Sequence, residues 1–78
     1  MFNVYALKSI FRNYIYVGLT DNMDRRFMQH QKGREKTTRS YRPFEIILTE
    51  SYNSRVDARK REKYLKSGVG KEYLRSIE

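Results

Sequence analysis

The sequence lacks cysteine, and it has no long run of apolar residues. Without cysteine the protein can form no disulfide, no thiolate metal site and no cysteine nucleophile. No apolar stretch approaches the ~20 residues that span a bilayer. The N-terminus also lacks the charged and apolar regions of a secretory signal. We therefore expect a cytoplasmic protein, either free or associated with the nucleoid.

Acidic residues are also scarce: nine Asp and Glu stand against 17 Lys and Arg, giving a net charge of +8 and a pI near 10.0. This balance favours a polyanionic partner, with nucleic acid first. A membrane surface fits less well, because no segment combines a long apolar face with a basic one. A basic surface exposed only to solvent explains the same charge, so composition alone leaves these interpretations open.

The chain of 78 residues has room for one domain, residues 1–78. A chain of this length buries about 60% of its unfolded surface, so its core is small. Seven tyrosines and four phenylalanines must supply much of the core volume. Because a buried tyrosine needs a partner for its hydroxyl, several of them should lie at edges or in a cleft.

Apolar periodicity predicts three strands, at residues 2–8, 13–18 and 43–52. If the first two pair antiparallel, Tyr5 and Tyr16 project from the same face of the hairpin. The third strand has an Ile-Ile-Leu centre. This run suggests burial on both faces and a middle position in the sheet.

Turn and capping residues predict three helices. The first follows a cap at Thr20 or Asp21 and stops before Gly33. The second follows Ser54 and ends at Gly68. Residues 68–70 are expected to form a hinge or turn, and residues 71–77 a last helix. The element order is ββαβαα, which belongs to the α/β (α+β) class.

Hydrolysis of a phosphodiester needs an activated nucleophile, stabilisation of the charge around phosphorus and protonation of the leaving oxygen. Tyrosine or histidine can relay a proton. Arginine can bind phosphate oxygens through its fork, and a carboxylate can hold one Mg²⁺. The chain has all four residue types, and Arg26 and His30 share a helix face because they are four residues apart.

Each candidate also has a plainer explanation. Tyr5 and Tyr16 fit as ordinary strand aromatics, and a lone histidine on a helix is most often exposed to solvent. Arg26 belongs to a basic pair of the kind that covers a solvated helix face. Glu62 could simply pair with Lys66, four residues later. For each of these residues taken alone, a structural role is a better explanation than a catalytic one.

The order of the motifs is more specific than any single residue. Val4-Tyr5-Ala6 and Tyr16-Val17-Gly18 stand at hairpin spacing. Arg26 and His30 follow on a helix, and the block Arg61-Glu62-Lys63-Tyr64-Leu65-Lys66 comes after the third strand. This order resembles the GIY-YIG nuclease family over nearly the whole chain. The resemblance is greatest to the small stand-alone, single-domain members.

The resemblance implies a three-stranded antiparallel sheet flanked by helices, in α/β/α layers. Tyr5 matches the tyrosine of the first motif. Tyr16 and Gly18 match the second motif, where the glycine is structural. Arg26 matches the arginine that the family uses on the scissile phosphate, and His30 matches a position held by histidine or tyrosine. Tyr5 would help to deprotonate the attacking water, assisted by Tyr16 or His30.

Glu62 matches the family's single metal-ligating glutamate. This implies one Mg²⁺ or Mn²⁺ ion as cofactor and no small-molecule cofactor. A site with one carboxylate should bind the ion weakly until a DNA phosphate completes the coordination. The chain departs from the family in two respects. Its first motif, Asn3-Val4-Tyr5, has no glycine, and the C-terminal asparagine of the larger enzymes has no clear counterpart.

Residues 32–42 are polar, basic and without apolar periodicity, so we expect a loop that is either disordered or functional. Its cations and hydroxyls suit phosphate contacts, and its tyrosine could stack on an exposed base. The candidates for nucleic-acid binding are Arg34, Lys36, Arg39, Tyr41 and Arg42. A solvated loop without a ligand is an equally good explanation.

We therefore interpret the sequence as a Mg²⁺-dependent endonuclease that hydrolyses phosphodiester bonds of duplex or branched DNA, in repair, recombination or defence. The partner is DNA and not a membrane. The first alternative is a nucleic-acid-binding module that keeps the fold without cleaving. The second is a basic structural protein that contacts DNA or RNA only non-specifically.

Overall fold

Three strands and three helices follow each other in the predicted order ββαβαα. The computed structural model describes residues 1–78. The strands are β1 (Phe2–Ser9), β2 (Ile15–Thr20) and β3 (Phe44–Tyr52), and the helices are α1 (Met23–Gln31), α2 (Arg55–Lys66) and α3 (Gly68–Ile77). One 3₁₀ turn, Arg39–Tyr41, lies between α1 and β3. No helix is both long enough and apolar enough to cross a bilayer.

The sheet is antiparallel, with β1 in the centre and β2 and β3 at the edges. The expectation that the third strand is central was therefore wrong. Four consecutive residues of β1, Val4 to Leu7, are almost completely buried, whereas Ile46 of β3 is 43% exposed. A strand that is buried on both faces has to be covered on both by other elements. In this chain that strand is β1.

Successive residues of β1 point to opposite faces of the sheet, so each face has its own core. The core beneath α2 and α3 consists of Val4, Ala6, Ile15, Val17, Ala58, Leu65 and Leu74. The core beneath α1 consists of Tyr5, Leu7 and Phe44, with Met23 and Phe27 of the helix packed against it. Helices therefore cover both faces of the three-stranded sheet, as expected.

The first helix begins later than the sequence suggested. Its cap is Asn22, whose side-chain oxygen accepts a hydrogen bond from the Arg25 N–H at 3.0 Å. The predicted caps, Thr20 and Asp21, come too early because Thr20 still belongs to β2. Ser54 caps α2 as predicted, accepting bonds from two backbone N–H groups of the first turn.

Hydrogen bonds join the two ends of the connection between α1 and β3 and attach it to β1. The side-chain amide of Gln31 accepts a bond from the Phe44 N–H at 2.7 Å and donates one to the Phe44 carbonyl at 3.0 Å. Ser9 Oγ donates to the Tyr41 carbonyl at 2.6 Å. Within this connection Thr38 is completely buried. A hydroxyl therefore enters the interior from a segment that is otherwise polar and exposed.

The glycines at residues 68–70 form the first turn of α3 and not the hinge or turn that we expected. Ser67 caps this turn, accepting a bond from the Gly70 N–H at 3.2 Å. Gly70 is buried where α3 meets the end of α2. A Cβ at this position would overlap the Tyr64 carbonyl oxygen and the Leu65 Cα. The second glycine therefore permits a close approach of two helices.

We expect Gly70→Ala to destabilise the protein by roughly 1–3 kcal/mol, because its methyl group meets backbone atoms that cannot rotate away. Gly68→Ala is the matched control, since a Cβ there meets nothing within 4 Å. Gly68→Ala should leave the free energy of unfolding unchanged or raise it, because alanine loses less backbone entropy. Urea unfolding measures both, and equal effects would contradict the close-packing argument.

Candidate active site

Three of the predicted aromatic residues meet between the sheet and α1. The hairpin pairs Tyr5 with Gly18 and Leu7 with Tyr16, which puts both tyrosines on the face that α1 covers. Their ring centroids are 6.2 Å apart. The imidazole of His30 lies 5.0 Å from the Tyr16 ring and 5.9 Å from the Tyr5 ring. The expectation that Tyr5 and Tyr16 project from the same face of the hairpin is confirmed.

The hydroxyl of Tyr5 connects two residues of α1. Arg26 Nε donates a hydrogen bond to Tyr5 Oη at 3.3 Å, and Tyr5 Oη lies 3.0 Å from His30 Nε2. On the other side of the imidazole, Nδ1 lies 2.8 Å from Thr38 Oγ1. The side chains therefore form a chain of hydrogen bonds in the order Arg26, Tyr5, His30, Thr38.

The partners of the imidazole favour one tautomer. Arginine only donates, so the Tyr5 oxygen accepts from Arg26 and its own hydrogen needs an acceptor. A proton on Nδ1 lets His30 donate to Thr38 and leaves Nε2 free to accept from Tyr5. The other tautomer would leave the O–H of Tyr5, a residue that is 1% exposed, without an acceptor. We therefore assign Nδ1–H to neutral His30.

Burial sets the charge states of these groups. It raises the pKa of Tyr5 to about 12, although the hydrogen bond from Arg26 opposes the rise. It also lowers the pKa of His30, and the positive charge of Arg26 lowers it further against the opposing effect of Glu35. At neutral pH the cluster therefore holds a protonated phenol beside a neutral imidazole, with a proton acceptor already in hydrogen-bond contact.

Arg26 is fixed by more partners than the sequence indicated. Its Nη1 donates to Gln29 Oε1 at 3.0 Å and lies 2.8 Å from a carboxylate oxygen of Glu35. Its Nη2 makes no hydrogen bond within the protein, and the side chain is 27% exposed. The guanidinium is thus oriented through two nitrogens, and the third has no partner in the protein.

His30 is completely buried, so the explanation of this residue as a solvent-exposed helix histidine was wrong. A sequence signal for its burial exists: Met23, Phe27 and His30 are spaced i, i+4 and i+7, the period of one buried helix stripe. Thr38 and Glu35 were not among the predicted residues, because both lie in an aperiodic segment. No spacing rule predicts that such a segment folds back onto α1.

Gly18 lies directly beneath the ring of Tyr5. A Cβ on Gly18 would overlap the hydroxyl end of that ring. The tyrosine of the first motif can therefore cross β2 only because the second motif has no side chain at this position. This contact gives a physical reason for combining a tyrosine in β1 with a glycine in β2.

Glu62 stands apart from the other four predicted catalytic residues. It shares a stripe of α2 with Ala58 and Leu65, which pack against the opposite face of the sheet. Its side chain is 9% exposed and lies 3.5 Å from Arg59 and 3.2 Å from Lys66. None of its contacts is to Tyr5, Tyr16, Arg26 or His30. Glu62 is therefore not part of the hydrogen-bond chain that joins Arg26, Tyr5 and His30.

One carboxylate oxygen of Glu62 fits the role of a metal ligand. Oε1 is buried and accepts no hydrogen bond, since the Arg59 nitrogen at 3.5 Å is too distant for one. Mg²⁺ and Mn²⁺ prefer oxygen ligands of this kind. No group of three His, Cys, Asp or Glu side chains surrounds the position. An ion held here would draw most of its ligands from water and from a bound phosphate.

The residues predicted to bind nucleic acid are on the surface, in the connection between α1 and β3. Arg34, Lys36, Arg39 and Arg42 are exposed. Tyr41 is half-buried and stacks on Tyr14, with ring centroids 3.8 Å apart. One face of Tyr41 is thus already covered, and base stacking by this residue stays a prediction.

Comparison with known proteins identifies the family. The family model described as the GIY-YIG catalytic domain matches residues 1–74. The chain belongs to the GIY-YIG family. This is a nuclease family, so membership implies a nucleic-acid substrate in general terms.

Relatives are named UPF0213 proteins. The chain is 34% identical to UPF0213 protein VPA1222 of Vibrio parahaemolyticus over 65 residues, which cover 82% of this chain and 60% of that protein. It is 39% identical to UPF0213 protein NP_0776A of Natronomonas pharaonis over 54 residues, or 68% of this chain and 64% of that protein. The matched region thus spans less than two thirds of both relatives. These names state no activity.

A solved structure supports the assignment. The solution NMR structure of UPF0213 protein BH0048 from Bacillus halodurans is 33% identical to this chain and superposes with a TM-score of 0.59. The match covers 100% of this chain and 86% of that chain. It confirms the GIY-YIG-like arrangement of the sheet and helices.

We expect His30 to titrate below the ordinary histidine pKa of about 6.5. Its folded pKa is lowered, so the unfolded chain binds the proton more readily. The stability due to neutral His30 is therefore complete above about pH 6.5 and is lost as the pH falls. Because His30 is the only histidine, ¹H–¹⁵N NMR of the imidazole reports its pKa and tautomer directly.

The matched variant for this titration is Thr38→Val, which keeps the shape of the side chain and removes the partner of Nδ1. In this variant we expect the ¹⁵N chemical shifts of the His30 imidazole to move away from the values typical of the Nδ1–H tautomer. A His30 pKa at or above 6.5 in the parent protein, or identical ¹⁵N shifts in parent and variant, would contradict the assigned hydrogen-bond chain.

Proposed function

We propose that this chain is a Mg²⁺-dependent endonuclease that hydrolyses phosphodiester bonds in DNA. The observation that carries the proposal is the position of the Tyr5 hydroxyl, 3.0 Å from a neutral imidazole and 3.3 Å from a guanidinium. A proton acceptor and a phosphate-binding cation therefore converge on one oxygen. Membership of a nuclease family supports the same conclusion.

In this proposal Tyr5 acts as a proton relay. A phenol with a pKa of about 12 is protonated at neutral pH and cannot accept a proton unless it gives one away. As the attacking water loses a proton to Tyr5 Oη, the phenolic hydrogen passes to His30 Nε2. The water oxygen forms the new bond to phosphorus, the bond from phosphorus to the leaving oxygen breaks, and the leaving oxygen takes a proton from solvent water. His30 ends the step as an imidazolium.

Two further residues assist this step. Thr38 is a positioning residue, because its bond to Nδ1 keeps Nε2 available as the acceptor. Tyr16 packs beside both rings and is less buried than Tyr5, so it forms the wall that faces the substrate.

Arg26 binds the phosphate in this proposal. Its free Nη2 points to no protein acceptor, and its bond to Tyr5 ties the cation to the proton relay. A guanidinium near the phosphate stabilises the negative charge that increases as water attacks. The Glu35 carboxylate lies 2.8 Å from Nη1 of Arg26. It therefore occupies one of the guanidinium nitrogens until a phosphate of the substrate replaces it.

Glu62 would hold the metal ion, which supplies charge neutralisation for the phosphate and the leaving oxygen. Its buried Oε1, which accepts no hydrogen bond, supports this assignment. Arg26 and Glu62 share no polar contact, so the phosphodiester and the metal ion would together have to bridge them. We therefore favour an extended or branched DNA over a compact ligand, with repair, recombination or defence as the context and the cytoplasm as the location.

The alternative is a module that binds nucleic acid without cleaving it. The observation in its favour is that Glu62 makes no contact with the Tyr5 cluster and is neutralised by Arg59 and Lys66. In that case the hydrogen-bond chain around Tyr5 is only structural. Nicking assays on branched and linear DNA in Mg²⁺ and in EDTA decide between the two functions.

We expect Arg26→Ala to lower nicking by roughly 10²-fold or more, the usual effect of losing a donor that acts on transition-state charge. Arg25→Ala is the matched control, because Arg25 is the neighbouring residue and forms an exposed ion pair with Asp21. Arg26→Lys should recover only part of the activity, since an ammonium cannot form the fork. Equal rates for both alanine variants would exclude the role of Arg26.

We expect Glu62→Gln to abolish nicking in Mg²⁺ and to leave DNA affinity in EDTA unchanged or slightly higher. The amide keeps the shape of the side chain and removes the charge that an ion requires. Asp57→Asn is the matched control, with the same charge change at an exposed site of α2. If Glu62→Gln abolished binding and nicking and lowered thermal stability together, Glu62 would be structural and the binding-module alternative would be favoured.

A further inference from the structure

The exposed side of α2 carries a row of basic residues. Arg55, Arg59 and Lys63 follow each other at intervals of four residues, and Lys60 lies beside them. Positions four apart lie above one another on a helix. These four residues, here called the α2 basic face, line a shallow groove of about 380 Å³. The only other residue of the lining is Val56.

The α2 basic face is electrostatically unfavourable without a ligand. Like charges four apart on a helix repel each other. Arg55 also stands in the first turn, where the helix dipole is positive. Only Arg59 has a carboxylate partner, Glu62 at 3.5 Å, and the other three cations form no ion pair. An anionic ligand would therefore stabilise this helix.

We propose that the α2 basic face binds the sugar–phosphate backbone of a nucleic acid, separately from the connection between α1 and β3. At 1.5 Å per residue, the Cα atoms of the row are about 6 Å apart. A duplex strand carries one phosphate every ~3.4 Å along its axis. A backbone lying along α2 therefore offers several phosphates within reach of long, flexible side chains.

The chemistry of the groove selects this ligand among polyanions. One valine is too small an apolar surface to enter a bilayer. The lining has four cations, one valine and no aromatic side chain on which a base could stack, so we expect its contacts to go mainly to phosphates. The choice of nucleic acid over another polyanion rests on the proposed function, whereas the presence of an anion site rests on the charge pattern alone.

The position of this face also relates it to Glu62. Arg59 belongs to the row and contacts the Glu62 carboxylate, so a phosphate bound on α2 lies beside the proposed metal ligand. A backbone held there would bring to Glu62 the phosphate oxygens that a one-carboxylate site needs.

The experiment compares two triple variants that remove the same charge. Arg55→Gln, Lys60→Gln and Lys63→Gln together neutralise the α2 basic face and leave Arg59 in contact with Glu62. Arg34→Gln, Lys36→Gln and Arg39→Gln together neutralise the connection between α1 and β3. Fluorescence anisotropy in EDTA measures the affinity of each for labelled duplex and single-stranded DNA at several salt concentrations.

We expect the α2 triple variant to bind duplex DNA roughly tenfold or more weakly than the parent. Its slope of log K against log salt should be shallower by about 0.9 for each DNA phosphate that the variant no longer neutralises. The loop variant should show a decrease in affinity at least threefold smaller. Equal decreases in the two variants, or a decrease confined to the loop variant, would overturn the proposal.

Two further measurements keep the proposal testable if a triple variant does not fold. On the ¹⁵N-labelled parent protein, a short duplex added in EDTA should shift the amide signals of residues 55–63, and shifts confined to residues 32–42 would overturn the proposal. Phosphatidylserine vesicles and polyglutamate serve as other anions. Binding to either one that equals DNA binding at the same charge concentration would exclude nucleic acid as the specific ligand.

The outcome is independent of catalysis. If the parent protein nicks DNA and the α2 triple variant binds DNA like the parent, the nuclease proposal stands. The proposal that the α2 basic face binds nucleic acid is then wrong. If neither the parent nor its variants nick DNA and the α2 triple variant binds DNA more weakly, the nuclease proposal fails. The proposal that the α2 basic face binds nucleic acid then stands.

Discussion

A buried phenol has to find partners for its hydroxyl, and the environment of Tyr5 shows how far this requirement extends. The ring crosses from the central strand over the edge strand β2, which requires Gly18 beneath it. Its oxygen meets Arg26 and His30. The imidazole then needs a partner of its own and receives Thr38. One side chain thus links β1, β2, α1 and the connection to β3.

The sequence could predict only the part of this site that lies on regular strands and helices. Tyr5, Tyr16 and His30 meet because strand and helix periodicities place them on facing surfaces, and both periods are visible in the sequence. Thr38 could not be found in this way. Its burial depends on how residues 32–42 fold back onto α1, and this path is determined by tertiary contacts such as those of Ser9 and Gln31.

The failed expectations have related causes. The Ile-Ile-Leu run of β3 indicated a central strand, yet position in a sheet depends on which strand can be covered on both faces. Val4 to Leu7 of β1 meet that condition. Glycines at residues 68–70 indicated a turn because glycine usually ends a helix. In this fold Gly70 instead allows two helices to touch, and a sequence does not distinguish these two uses of the residue.

Arg26 and Glu62, the proposed phosphate-binding and metal-binding residues, both form internal ion pairs in the free protein. Glu35 lies against Arg26, and Arg59 and Lys66 lie against Glu62. A ligand at either residue has to compete with a charge that belongs to the protein. A ligand changes such an equilibrium only through the difference in its affinity for the two states. Weakly charged ligands are therefore poor competitors, and polyanions that replace several contacts at once are favoured.

The amide of Gln31 has a consequence for the outer edge of the sheet. It forms hydrogen bonds with both the N–H and the carbonyl of Phe44, at the start of β3. These two backbone groups are then unavailable to a strand from another molecule. Open strand edges allow β-sheet proteins to add to one another and aggregate. A helix side chain that imitates a neighbouring strand therefore shortens the free edge and opposes self-association of a small, tyrosine-rich protein.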